Sequence, residues 1–239
     1  ENGKSEIIQN FGLKQIPEIS VIPCCVDHEL FSGDKVSETE KKCWADKLKI
    51  KSDDLIISYS GSVGTWYMLE EMLDFFNALT EKYSNAKFLF ITLDEPEKIM
   101  SACKNKNIKP DKIIICKAKR NEMPVLLSLS TLSLFFIKPA YSKKASSPTK
   151  MGELMSMGIP FITNSGVGDI DLLVNQHKVG IAIKDQTETA YREAIQSIPA
   201  LLKQDIEVSK DVAKTKYSLE FGVASYYNIY NQLKQKSSK

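Results

Sequence analysis

Six short apolar runs, separated by longer segments of helical periodicity, restrict this chain to few folds. The runs occupy residues 55–60, 87–92, 112–117, 132–138, 160–164 and 179–184. They are rich in Ile, Phe and Val and mostly apolar on both faces, the pattern of strands buried inside a parallel sheet. A seventh run, 18–23, reads as an edge strand or as the linker into the fold. Met68, Leu69, Met72, Leu73, Phe76 and Leu79 recur at helical intervals as one buried stripe, on which Met68 and Met72 are core fillers. Helices are also expected over 38–49, 95–104, 122–130, 149–157 and 186–198. Pro199 should then kink or break the chain, because proline lacks the N–H that a helix interior needs. Ser218 is placed to cap a last helix carrying Val223, Tyr226, Tyr227, Tyr230 and Leu233 on one face, expected in the core or against a neighbouring domain. Strand and helix alternating in this way imply right-handed crossovers. The expected fold class is therefore α/β, a Rossmann-like doubly wound parallel sheet flanked by helices.

Composition narrows the function. The 239 residues are 43% hydrophobic and 26% charged, enough for a core without disulfide or metal staples. With 32 Lys plus Arg against 30 Asp plus Glu, the net charge of +2 gives no footing for nucleic acid or an acidic membrane. The longest apolar stretch, 126–137, is about twelve residues and interrupted by Ser and Thr, too short to cross a bilayer. No signal peptide opens the chain, and it starts at Glu1 without an initiator Met, as a piece of a longer protein would. Five cysteines, an odd number with no CxxC, and only two histidines argue against a metal site. They read as reduced, partly buried thiols of a cytoplasmic protein. The adjacent pair Cys24 and Cys25 suits neither a disulfide nor a metal clamp.

In an open parallel sheet, ligands bind beyond the carboxyl ends of the strands, which selects three loops. The first is Gly61-Ser62-Val63-Gly64-Thr65-Trp66. Its glycines let a backbone approach a phosphate beside a helix N-terminus. They stand at i and i+3 rather than in GxGxxG, so a plain tight strand–helix turn is equally open. The second is Ser146-Ser147-Pro148-Thr149-Lys150-Met151-Gly152-Glu153. Here Ser147 is a fitting N-cap and Pro148 a fitting first helical residue. Free N–H groups, hydroxyls and the Lys150 ammonium then converge as an anion site, with Glu153 one turn deeper to receive vicinal hydroxyls. A capped helix with Lys150 and Glu153 in solvent is the plainer alternative. The third is Ser165-Gly166-Val167-Gly168-Asp169, where Asp169 is expected to cap the following helix. Hydroxyls, a lysine and a carboxylate in that order suit a phosphorylated sugar or nucleoside.

Taken in order, these residues resemble the C-terminal domain of a GT-B glycosyltransferase, most like family 4. Val21-Ile22-Pro23-Cys24-Cys25-Val26-Asp27 followed by Phe31 is similar to that family's "VIPNGVD…F", with Cys-Cys replacing Asn-Gly. Ser60-Gly61-Ser62 stands where its strand-end glycine loop begins. "SPTKMGELMSMGIP", from Ser147 to Pro160, resembles its nucleotide-sugar signature and is the specific part of the match. Gly166-Val167-Gly168-Asp169 matches its next loop, and residues 217–233 look like its closing helix.

The resemblance implies the C-terminal half of a GT-B fold: residues 1–17 leading in from a missing N-terminal domain, 18–217 as nucleotide-sugar-binding domain, and 218–239 as closing helix and polar tail. It implies donor-binding roles for Gly61, Ser62, Gly64, Thr65, Ser147, Thr149, Lys150 and Glu153, with Glu153 on the ribose and Ser147, Thr149 and Lys150 on phosphate oxygens. The base would lie near Ala118–Arg120, a segment that does little to identify it. No catalytic residue is assigned and no metal or cofactor is implied. The nucleotide sugar, UDP- or GDP-linked, is a substrate. The implied activity is retaining transfer of a hexose-type unit to a glycan or lipid-linked acceptor, the intact protein being cytoplasmic or membrane-associated. Without the N-terminal domain this piece should bind donor but not turn over. Two departures stand out. The family's first glutamate would fall eight positions before Glu153, where the chain has Ala145, and the usual Arg and Lys after the first glycine loop are replaced by Gly64-Thr65-Trp66-Tyr67. Lys143 and Lys144 are candidates, with Lys150, to make up the charge. The alternatives are a non-catalytic carbohydrate or protein interaction domain and an NAD-dependent oxidoreductase. The latter needs GxGxxG, which is absent, and an acid ending the second strand, which Asp94 meets loosely.

Overall fold

The computed structural model describes residues 1–237, so the last two residues of the expected polar tail lie outside the described residues. Six strands form one sheet: β1 (Leu55–Ser60), β2 (Ala86–Ile91), β3 (Ile113–Cys116), β4 (Leu132–Leu134), β5 (Phe161–Asn164) and β6 (Gly180–Ile183). All pair in parallel, in the order β3-β2-β1-β4-β5-β6. Each of the six apolar runs thus becomes a strand of a Rossmann-like sheet. The chain builds outward from β1 on one side, then returns to lay β4 on the other. That reversal opens a crevice beyond the carboxyl ends of β1 and β4.

The helices are α1 (Asn2–Asn10), α2 (Glu38–Lys47), α3 (Leu69–Lys82), α4 (Pro96–Asn105), α5 (Met123–Leu127), α6 (Thr149–Ser156), α7 (Ile170–His177), α8 (Glu188–Leu201), α9 (Ile206–Tyr217) and α10 (Leu219–Ser237). The apolar stripe of α3 buries Leu69, Met72, Leu73, Phe76 and Leu79, with Met68 partly covered at its start. α3 packs on α4 and α8, while α6 and α7 pack on α9. Among the described residues, no helix is long and apolar enough to cross a membrane.

The Val-Asp…Phe motif has a local cause. The Asp27 carboxylate accepts the Glu29 and Leu30 N–H groups at 3.0 and 3.1 Å, turning the chain so that Phe31 drops fully into the core. Val26 N–H donates to the Tyr217 carbonyl and Leu219 N–H to the Val26 carbonyl, which ties this turn to the α9–α10 junction.

Several expectations are corrected. Residues 18–23 form no strand and serve as linker. The run 132–138 splits after Leu134 because the return of the first glycine loop takes its backbone. Ile137 bridges Tyr67 antiparallel, and Met68 and Lys138 N–H donate to the Phe136 and Trp66 carbonyls. Buried Asn164 clamps both the N–H and the carbonyl of Ile137. Pro199 does not break its helix, which runs on to Leu201. The proline sits in the last turn, where one absent N–H costs a single bond. α1 and α9 were not anticipated, α1 because none of its residues is buried. The aromatic face of α10 is not core: Val223, Tyr226, Tyr227, Tyr230 and Leu233 are all exposed, and Gly222 is the helix's only buried residue. Ser218 does cap α10, accepting the Phe221 N–H at 3.0 Å. Cys24 and Cys43 are exposed rather than partly buried, the first in the linker ahead of Val26 and the second on a helix with no buried residue. Burial pushes the Cys103 and Cys116 thiols up to about 11, which makes them poor nucleophiles.

Candidate functional site

A cleft of about 470 Å³ lies beyond the carboxyl ends of β1 and β2, lined on one side by Ser60, Gly61 and Ser62 and on the other by Thr149, Lys150 and Glu153 of the helix that follows β4. That volume is ordinary for a small-ligand site. The glycine loop after β1 is held from beneath. Gly61 N–H donates to the Ile91 carbonyl, Val63 N–H to the Asp94 carboxylate, and Lys98 Nζ to the Val63 carbonyl at 2.6 Å. Tyr59 Oη donates to the Ser62 carbonyl. Gly61 is required: its φ is +120°, and a Cβ there would stand 3.4 Å from Lys150 Nζ.

Lys150 lies in the first turn of α6, and its Nζ is buried without a hydrogen-bond partner. It rests 3.4 Å from the Tyr67 ring centroid, 4.2 Å from Tyr59 and 5.7 Å from Phe135. Each ring face contributes about 0.5–2 kcal/mol to a cation. Leaving an ammonium buried and unpaired costs several kcal/mol. Desolvation wins. Burial holds Lys150 well below the usual lysine range, opposed by the nearby Glu153 carboxylate. Lys150 Nζ thus lies buried without a hydrogen-bond partner in the first turn of α6, beside the N–H groups that open that helix. Burial, with the Glu153 charge added, also raises the Tyr67 phenol.

Glu153, one turn further along α6, is buried and pairs with Arg120, whose Nη1 lies 2.6 Å from its Oε1. Arg120 reaches the cleft from the loop after β3, where Ala118 and Met123 complete the wall. Sequence reasoning placed a base near Ala118–Arg120 but did not give Arg120 a partner. It also missed Tyr59 and Tyr67, whose rings meet Lys150 only once β1, the glycine loop and α6 converge. Asp94, read only as a loose match to an oxidoreductase acid, instead holds the glycine loop.

The remaining candidates lie elsewhere. Gly64, with φ +96°, and Thr65 line an adjoining hollow with Trp66 and Lys98. Ser147 is not the N-cap of α6. Pro148 occupies that position without a side-chain cap, and Ser147 Oγ accepts the Cys24 N–H at 3.0 Å instead. The Asp169 carboxylate likewise makes no cap on α7, because it accepts the Asn2 N–H at the start of α1. Lys143 lies over the Trp66 ring at 4.0 Å and Lys144 pairs with Glu6 at 2.7 Å, so neither lines the cleft. Ala145 sits under α1, where a Cβ on Gly3 would come within 2.6 Å of its own Cβ. Among the described residues, no group of three or more His, Cys, Asp or Glu side chains could hold a metal ion.

The doubly wound parallel sheet with flanking helices has the fold of a GT-B glycosyltransferase domain. The family model described as "Glycosyl transferases group 1" matches residues 40–215, and the chain belongs to that family. Its fold recurs in solved structures, among them the following three. A glycosyltransferase from Rickettsia africae is 16% identical with a TM-score of 0.76, over 97% of this chain and 61% of that one. Anabaena Alr3699/HepE in complex with UDP-glucose is 12% identical with a TM-score of 0.69, over 95% and 61%. The C-terminal domain of the group 1 family protein LpcC from Francisella tularensis is 18% identical with a TM-score of 0.57, over 81% and 99%. The chain thus spans about three fifths of the first two and corresponds to the C-terminal domain of the third. No curated protein matched the chain.

Proposed function

We propose that this chain is the donor-binding domain of a retaining, family 4-like glycosyltransferase. It takes a UDP- or GDP-linked hexose-type sugar and passes the sugar to a glycan or lipid-linked acceptor held by an N-terminal domain of the same protein. The observation that carries this reading is Lys150: a buried side-chain nitrogen without a hydrogen-bond partner, at the first turn of α6 and facing the glycine loop across the cleft. An anion placed there regains the solvation that Lys150 has lost and meets the helix N-terminus as well. With the diphosphate on Thr149 and Lys150, the ribose falls one helical turn deeper, within reach of Glu153.

Catalysis in such a site is largely electrostatic. As the glycosidic bond to the diphosphate breaks, charge accumulates on the departing phosphate oxygens. Lys150 and the α6 N–H groups stabilise it without a metal ion. The chain alone is expected to bind donor without transferring sugar. Thermal melting with UDP, GDP, ADP, dTDP and NAD⁺ tests the reading. A ligand at ten times its Kd adds ~1.4 kcal/mol, which at this size raises Tm by about 3–6 °C. A shift with UDP or GDP is expected. A shift with NAD⁺ alone, or with none at millimolar concentration, contradicts the proposal.

A further inference from the structure

The Arg120–Glu153 pair is built in a way that simple charge neutralisation does not require. Glu153 is buried, and a carboxylate in that position needs a counter-charge. Arg120 supplies it through one nitrogen on one oxygen: Nη1 meets Oε1 at 2.6 Å. Among the described residues Oε2 accepts no hydrogen bond. The guanidinium is itself held on a second side, its Cζ 4.7 Å from the centroid of the Phe31 ring. Phe31 is fully buried and fixed by the Asp27 turn. The backbone carrying Arg120 is a 3-10 turn closed by reciprocal bonds between Lys119 and Glu122. The side chain of Arg120 is nonetheless 58% exposed, so the clamp comes from the open side of the cleft.

We propose that Arg120 is a positioning residue for the donor: by holding Oε1 it presents Oε2 of Glu153 to the ribose diol. The inference rests on the reading of the cleft as a nucleoside-diphosphate site. A free glutamate terminus turns about its last torsion and must be ordered on binding. A clamped one has been ordered beforehand, and that preorganisation appears as affinity for the hydroxyl it meets. The contribution should therefore be specific to the sugar hydroxyls and absent for a nucleotide that lacks one.

Calorimetric titration of the chain with UDP, GDP and their 2′-deoxy counterparts tests this, using wild type, Arg120→Ala, Arg120→Lys and Glu153→Gln, with melting curves to verify folding. For the nucleotide that binds, wild type should prefer the ribose form by about tenfold. Arg120→Ala should weaken the ribose form about five- to tenfold and the deoxy form less than twofold, collapsing the preference. Glu153→Gln should collapse it similarly, and Arg120→Lys should restore part of it. Equal losses for both forms would make Arg120 a base or phosphate contact and overturn the inference. Unchanged or tighter binding of the ribose form would also overturn it, showing the pair to be idle or to compete with the sugar. Failure of wild type to bind any of the four would remove the underlying reading and this inference with it.

Discussion

Lys150 costs the folded chain stability, because its nitrogen is buried without a hydrogen-bond partner. Burial depresses its pKa below the 10.5 usual for lysine. Between those two values the unfolded chain binds a proton that the folded chain lacks, so the folded state gains stability as pH rises through that window. Lys150→Met, which keeps the length and removes the charge, should abolish this dependence and raise the Tm of the free protein at neutral pH by about 2–4 °C. The same variant should bind donor about 10- to 100-fold more weakly. A bound diphosphate reverses the sign, drawing a proton onto Lys150. Binding should then take up protons, and affinity should fall as pH rises from the pKa of the free protein to that of the complex, levelling off above it. Titration in two buffers of different ionisation enthalpy checks this, since equal apparent enthalpies would show that no proton moves.

At the scale of elements, the strands were the most legible part of the chain. Apolar runs buried on both faces read directly as parallel strands, and β1 has the bounds expected from its six residues. That Lys150 and Glu153 share one helix at the strand ends was also readable, because the hydroxyl, lysine and glutamate spacing falls in one segment. What escaped were effects that depend on competition between segments. Ser147 is an able cap, yet its hydroxyl goes to Cys24 in the linker, and Asp169 goes to α1. The aromatic face of α10 has the periodicity of a core helix without lying over the sheet. Loop-to-loop fit was equally hidden. Gly168 has φ +48°, its N–H donates to the Lys143 carbonyl, and a Cβ there would stand 1.7 Å from the Ser146 carbonyl oxygen. Gly168→Ala must separate the 165–169 loop from the segment leading into α6. Chemical denaturation should show a loss of about 1–3 kcal/mol, together with weaker donor binding. An unchanged midpoint would mean that the two loops are not coupled.

For the molecule as a whole, fold and site point the same way: the reversal in strand order opens the cleft, and the chain's one buried, unpartnered lysine side chain among the described residues stands in it. The departures from the family pattern fit a single scheme. Tyr67 stands in the region where a second cation is usual, and with Tyr59 it forms an aromatic seat for one lysine. The place of the first glutamate is taken by Ala145 beneath α1. The central claim is that a nucleoside diphosphate lies across this cleft, and a crystal structure of the chain with the nucleotide that most raises its Tm tests it most directly. Diphosphate oxygens are expected within hydrogen-bonding distance of Lys150 Nζ and the first turn of α6, with the ribose hydroxyls on Glu153 Oε2. A nucleotide seated elsewhere, or a diphosphate with Lys150 still capped by its tyrosines and out of reach, would contradict it.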